Sequence, residues 1–133
     1  MAPLSSLRGA LIGRSVALPA ELALRHPELA DVRFRRGGLP PRVGGWMLGH
    51  ASVAAITLWS TIWLAPSTPW NEALLLHELR HVHQFAASRL FPFRYLTESL
   101  RCGYHRNPYE VEAREFAAAR VRTPGAHPPS EDV

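Results

Sequence analysis

Between Val43 and Asn71 the chain carries no Asp, Glu, Lys or Arg. Within that run, the twenty residues from Trp46 to Ala65 are long enough to cross a bilayer as a helix. The segment is therefore either a membrane span or part of a buried core, and its composition separates the two. Gly49, His50, Ser52, Thr57, Ser60 and Thr61 interrupt it. Its second half alternates, pairing Ile56 with Leu58 and then Ile62 with Leu64, each pair on one face of its strand. It is rich in β-branched and aromatic residues, which fit pleated surfaces better than helices. The expectation is a buried hairpin, Val53–Leu58 and Thr61–Leu64, turning near Trp59-Ser60 and ended by Pro66, with no membrane span.

The flanking pattern completes the fold class. Met1 to Arg14 is weakly amphipathic, with Leu4, Leu7 and Leu11 at helical spacing, and it lacks the apolar core and small-residue site of a secretory signal. Pro19 to Leu29 reads as a short helical piece broken by Pro27, and Val32-Arg33-Phe34-Arg35 as a strand with its arginines outward. The glycines and prolines of Gly37 to Gly45 read as a loop. After the hairpin, Thr68 suits a cap and Pro69 a first helical position, for a helix running to about Ser88. Phe91-Pro92 separates it from a helix near Phe93 to Arg101. Gly103 to Asn107 is a loop, and Asn107-Pro108 opens a last helix to about Val121. Residues 123–133, with Pro124, Gly125, Pro128 and Pro129, read as a disordered tail. Strands followed by helices predict an α+β fold, a small antiparallel or mixed sheet in one domain over residues 1–122.

A chain of 133 residues, 47% of them hydrophobic, buries one core without disulfides. Cys102 is the single cysteine, which fits a reducing compartment and predicts a cytoplasmic protein. The net charge is +4 and all 15 basic residues are arginine. They are scattered: only Arg33, Arg35 and Arg36 cluster, with no aromatic ladder beside them, so nucleic acid is not an expected partner.

The chemistry concentrates in Leu74 to Phe85, which contains His77-Glu78-Leu79-Arg80-His81. On a helix, side chains four apart share a face, about 5–6 Å between Cβ atoms. Two imidazoles so placed reach one tetrahedral zinc, with nitrogens at about 2.0–2.1 Å. Glu78, next to the first of them, leans toward a zinc-bound water without binding the metal and takes its proton as the water attacks a carbonyl. The last helix carries two glutamates, Glu110 and Glu112, about 200° apart around its axis, so only one of them can face this pair. Periodicity does not choose between them. Glu110 also fits a capping box with Asn107, and Glu112 a solvated pair with Arg114 or Arg120. Tyr104 and His105 lie just before that helix. His83 points off the motif face, His50 reads as structural, Tyr95 as core and Cys102 as a buried thiol.

The segment from His77 to Gln84 resembles the active helix of zincin metallopeptidases. It is similar in particular to short bacterial domains carrying a His-Glu-Leu-x-His-Val-x-Gln helix. In those, a hairpin like Ala55-Ile56-Thr57-Leu58 … Thr61-Ile62-Trp63-Leu64 precedes the helix, and an Asn-Pro-x-Glu-x-Glu-Ala segment like Asn107 to Ala113 follows. The resemblance covers about Val53 to Arg120. It implies a gluzincin-like site in which a glutamate in the first turn of a later helix completes the metal set, which favours Glu110. It also implies one zinc per chain, a peptide or protein substrate, a hairpin edge strand lining the cleft, and a tyrosine or histidine opposite the metal that stabilises an oxyanion, for which Tyr104 and His105 are the candidates. In gluzincins an aspartate four residues after the ligand glutamate supports a ligand histidine; here that position is Arg114, so support must come from elsewhere. The expected function is a zinc-dependent hydrolase, a peptidase with Glu78 as base. The alternative is a non-catalytic zinc-binding interaction domain. Oligomeric state is not legible in the sequence.

Overall fold

The structure, a computed structural model, describes residues 4–47 and 53–122. The tail 123–133 and His50 lie outside the described residues. Six helices and four strands follow in order: α1 (Leu4–Ile12), β1 (Arg14–Ser15), α2 (Ala20–Arg25), β2 (Arg33–Arg36), α3 (Leu39–Met47), β3 (Ala55–Leu58), β4 (Thr61–Leu64), α4 (Glu72–Ala87), α5 (Phe91–Cys102) and α6 (Pro108–Arg122). A 3-10 turn, Pro27–Asp31, follows α2, so Pro27 breaks that helix as its sequence predicts. The sheet order is β1-β2-β4-β3. β1 runs antiparallel to β2, β2 parallel to β4, and β3 antiparallel to β4, which makes a mixed sheet in an α+β fold. No helix among the described residues is long and apolar enough to cross a membrane.

The apolar stretch folds as a hairpin. Trp59 makes the turn at φ 56° and sets its ring against Phe85, 5.5 Å between centroids. Ile62 and Leu64 alternate inward onto Leu75, Leu76 and Leu79 of α4, and Leu22, Leu29, Phe34 and Ala117 close this core around them. On β3 the fully inward position is polar. Thr57 stands directly opposite Ile62 and is buried, whereas Ile56 and Leu58 take the other face and are half-buried.

Three expectations are corrected. Gly37 to Gly45 is not all loop: Gly37 and Gly38 turn at φ 80° and 83°, and α3 begins at Leu39. Pro40 and Pro41 fall in its first turn, where no helical N–H is needed. Gly44 allows close packing, since a Cβ there would meet Ile56 Cδ1 at 3.1 Å. Thr68 does not cap α4, because its hydroxyl donates to Ala54 O at 2.8 Å and pins the hairpin instead. The cap is Asn71, whose Oδ1 accepts from Leu74 N at 2.9 Å. α5 starts at Phe91, with Pro92 inside its first turn. On β2, Phe34 enters the core and Arg33 and Arg35 take the opposite face, as expected. Arg35 there donates to Ile12 O and Gly13 O, and Arg36 to Ala65 O and Thr68 O, so both staple neighbouring segments to the sheet.

Candidate metal centre

α4 lies against the sheet through Leu75, Leu76 and Leu79, which fixes where its next face points. That face carries His77 and His81, with ring centroids 5.0 Å apart. α6 packs along α4 and brings Glu110 across from them. Glu110 Oε1 lies 2.9 Å from His77 Nε2 and 3.3 Å from His81 Nε2. One ligand atom from each of the three falls within 4.8 Å of the others, an arrangement that fits a metal ion. His81 and Glu110 are buried and His77 half-buried.

The placement of Glu110 starts at Asn107, which is fully buried. Its Nδ2 donates to Tyr95 O and Ser99 Oγ, and its Oδ1 accepts from Tyr109 N. One side chain thus ties the start of α6 to α5. The Glu110 carboxylate does not turn back to cap the helix; it meets the histidines. Glu112 points elsewhere, accepting from Arg80 Nε at 2.8 Å and Gln84 Nε2 at 3.1 Å. Of the two candidate glutamates, the fold brings Glu110 to the pair and not Glu112.

Three partners organise the centre, and the sequence reading gave none of them a role. Tyr95, expected in the core, donates its hydroxyl to Glu110 Oε2 at 2.5 Å. Burial, then the charge of Glu110, holds that phenol well above its usual range, so it stays a donor. Gln84 Oε1 accepts from His81 Nδ1 at 2.7 Å, while its amide nitrogen donates to Tyr109 O and Glu112 Oε1. With both amide protons so committed, Gln84 must present oxygen to Nδ1, which leaves His81 Nε2 for the centre. The third is Thr57, whose hydroxyl donates to Glu78 Oε2 at 2.7 Å in the buried space between β3 and α4. Gln84 carries a signal in the sequence, three residues after His81 on one helix. Thr57 and Tyr95 do not, because their contacts depend on strand register and helix packing.

Electrostatics follow the contacts. Burial alone would lower the His81 pKa, but its hydrogen bond to the Glu110 carboxylate and the charges of Glu78 and Glu110 outweigh it and raise the imidazole to about 9. Burial would raise the Glu110 carboxyl, but hydrogen bonds from His77 and His81 hold it far below the carboxylate range.

The eCIS core domain family matches residues 13–89, more than half of the sequence. This chain belongs to the eCIS core domain family. No curated protein and no solved structure matches the chain. The eCIS core segment runs from just before β1 through α4, and so includes His77, Glu78, His81, Gln84 and Thr57. Tyr95 and Glu110 lie after it, on the two helices that close the centre, with Asn107 between them just before α6.

Beside the eCIS core helix α4 opens a cleft of about 580 Å³ lined by His77, Glu78, Tyr104, His105 and Arg114. Both oxyanion candidates therefore line the same opening as His77 and Glu78. Burial, then the charges of Glu110 and Glu78, pushes the Tyr104 phenol up to about 12, so it keeps its proton at neutral pH. His83 stands off the site, 3.6 Å from Glu28 Oε2 with its ring against Phe116. Cys102 is half-buried rather than buried, with Sγ 3.8 Å from Glu98 Oε2.

Proposed function

We propose that this chain is a zinc-dependent peptidase in which His77, His81 and Glu110 hold one zinc and Glu78 is the general base. The observation that carries the reading is the convergence of two Nε2 atoms and one carboxylate oxygen within 4.8 Å. Ligands of a tetrahedral zinc lie about 3.3 Å apart when the bonds are about 2.0 Å. The separations of 2.9 and 3.3 Å from Glu110 Oε1 to the two imidazoles are close to that spacing. Two imidazoles and one carboxylate suit zinc, and three protein donors leave one position open, as catalytic sites require.

A zinc ion held there supplies a Lewis acid for the scissile carbonyl and an acidified water as nucleophile. The chain's own residues do the rest. Glu78 accepts a proton from the attacking water and returns it to the leaving amine. Thr57 fixes one oxygen of Glu78 and leaves the other to face the water. Gln84 and Tyr95 orient His81 and Glu110 from behind, the support that Arg114 cannot give. Tyr104, protonated, or His105 donates to the developing oxyanion from across the cleft. β3, at the edge of the sheet, supports a substrate bound as an added strand.

The test has two arms. Elemental analysis of tag-free protein should find about one zinc per chain, removable by chelator. Glu78→Gln should keep the zinc and lose cleavage of every peptide the wild type cuts. Absence of any divalent metal, with no uptake on adding zinc, would sink the metalloenzyme. Zinc without cleavage of any peptide by the wild type would reduce the site to a structural one, the non-catalytic interaction domain.

A further inference from the structure

The feature of the cleft that the proposed chemistry does not use is Arg114. It lies one helical turn beyond Glu110 on α6, on the face that lines the opening. Arg25, Arg80, Arg101 and Arg120 are each paired with glutamates. Arg114 forms no ion pair among the described residues. Its hydrogen bond runs from Nη2 to the backbone oxygen of His105. A guanidinium offers five donors in a planar fork, so one anchoring bond to a carbonyl leaves a forked face for an anion. The anchor also holds the group still, which reduces the entropy lost on binding.

The neighbouring wall sharpens this. Ala54, Ala55, Ala73, Ala117 and Ala118 line the same cleft with short side chains that leave room for a substrate group. No acidic residue lines it apart from Glu78, which Thr57 already engages.

The geometry points to Arg114 as the specificity-determining residue of the cleft, binding a carboxylate of the substrate peptide. That carboxylate is either an acidic side chain or a free C-terminus; both present two coplanar oxygens to the fork. The distance agrees with either source. One helical turn puts Arg114 about 6 Å along the helix from Glu110, and an extended peptide advances about 3.4 Å per residue. The carboxylate then belongs one or two residues from the scissile bond. This inference rests on the peptidase reading for the identity of its ligand, but it is tested by binding, without catalysis.

The experiment uses the full chain as Glu78→Gln, loaded with zinc, so that peptides bind without being cut. Fluorescent hexapeptides carry a single Glu, Gln or Lys in an alanine background, each with a free and an amidated C-terminus. We expect a carboxylate to tighten binding by about tenfold or more over its neutral counterpart. A Glu preference among the amidated peptides identifies an acidic side chain; a free-acid preference among the Gln peptides identifies the C-terminus. Arg114→Gln, whose neutral amide lacks both the charge and the fork, should erase the preference and leave neutral-peptide affinity and zinc content unchanged. Arg114→Glu should invert it toward Lys, an outcome that a merely structural arginine would not produce. No preference, a preference that survives Arg114→Gln, or no binding of any peptide at millimolar concentration overturns the inference. Cleavage of the same peptides by the wild type is read separately. Carboxylate-selective binding without cleavage defeats the peptidase and keeps the Arg114 site; cleavage without charge preference does the reverse.

Discussion

Thr57 on β3 donates its hydroxyl to Glu78 Oε2 at 2.7 Å, joining the edge strand of the sheet to the helix that carries both histidines. The two side chains are buried, at 6% exposure each, so neither finds an easy substitute in water. The contact ties the strand proposed to receive substrate to the residue proposed to activate water. A shift of the strand is thereby a shift of the base.

Thr57→Val keeps the shape of the side chain and removes the donor. It should retain zinc, cost about 1–3 kcal/mol of folding stability, and lower peptide turnover by about 10–100-fold. Thr57→Ser should restore most of both. Urea unfolding and steady-state kinetics on the three proteins check it. Full turnover in Thr57→Val would show that Glu78 needs no such anchor.

The two glutamates of α6 should separate cleanly. Glu110→Ala removes a ligand and should weaken zinc by more than about a hundredfold in competition with a chelating dye. Glu112→Ala only releases Arg80 and one of the two acceptors of Gln84, which keeps Tyr109 O. Its zinc affinity should fall by less than about tenfold. The reverse ranking would move the third ligand to Glu112 and discard the packing of α6 described above.

Tyr95→Phe leaves the ring packed against Phe91 and deletes the hydroxyl on Glu110 Oε2. Removing an outer partner of a metal ligand typically costs about 10–100-fold in affinity. The same dye competition should show that loss, with the fold intact by circular dichroism. Unchanged affinity would make Tyr95 the simple core residue that its sequence context suggests.

How far the sequence carries these arguments depends on the range of each contact. The histidine pair was legible because four-residue spacing on a helix is a local fact, and the Leu74 to Leu79 run shows where that helix is buried. The strand Thr61–Leu64 was legible for the same reason. α3 was not, because Gly44 and Gly45 resemble a loop until Ile56 and Val53 are seen to crowd Gly44. The cap of α4 moved from Thr68 to Asn71 because the Thr68 hydroxyl is drawn to Ala54 O, on a segment fourteen residues earlier. Thr57 looks like an interruption in an apolar strand. Only the register with Ile62 turns it inward, toward Glu78. Glu110 needed the packing of α6 on α4 to be preferred over Glu112 on geometry.

The His81–Glu110 pair predicts opposite pH responses with and without metal. In the metal-free protein the His81 pKa is raised from 6.5 to about 9, so its stabilising contribution is complete below pH 6.5 and is lost as pH rises through 9. The Glu110 pKa is lowered from 4.5, so its contribution is complete above pH 4.5 and is lost on acidification. Metal-free protein should therefore be most stable between those two values and lose on the order of 3 kcal/mol between pH 6.5 and pH 9.5 from His81 alone. Zinc reverses the trend, because it takes the Nε2 that the proton occupies. Each binding event below pH 9 displaces about one proton, so affinity should climb about tenfold per pH unit up to that point. Thermal unfolding of chelator-treated and zinc-loaded protein at pH 5, 6.5, 8 and 9.5 reads both effects. The metal-free midpoint should fall across the upper three values while the increment added by zinc grows. His81→Gln should flatten the metal-free curve above pH 6.5. A metal-free midpoint that does not fall between pH 6.5 and 9.5 would mean that the imidazolium–carboxylate pair does not form in solution.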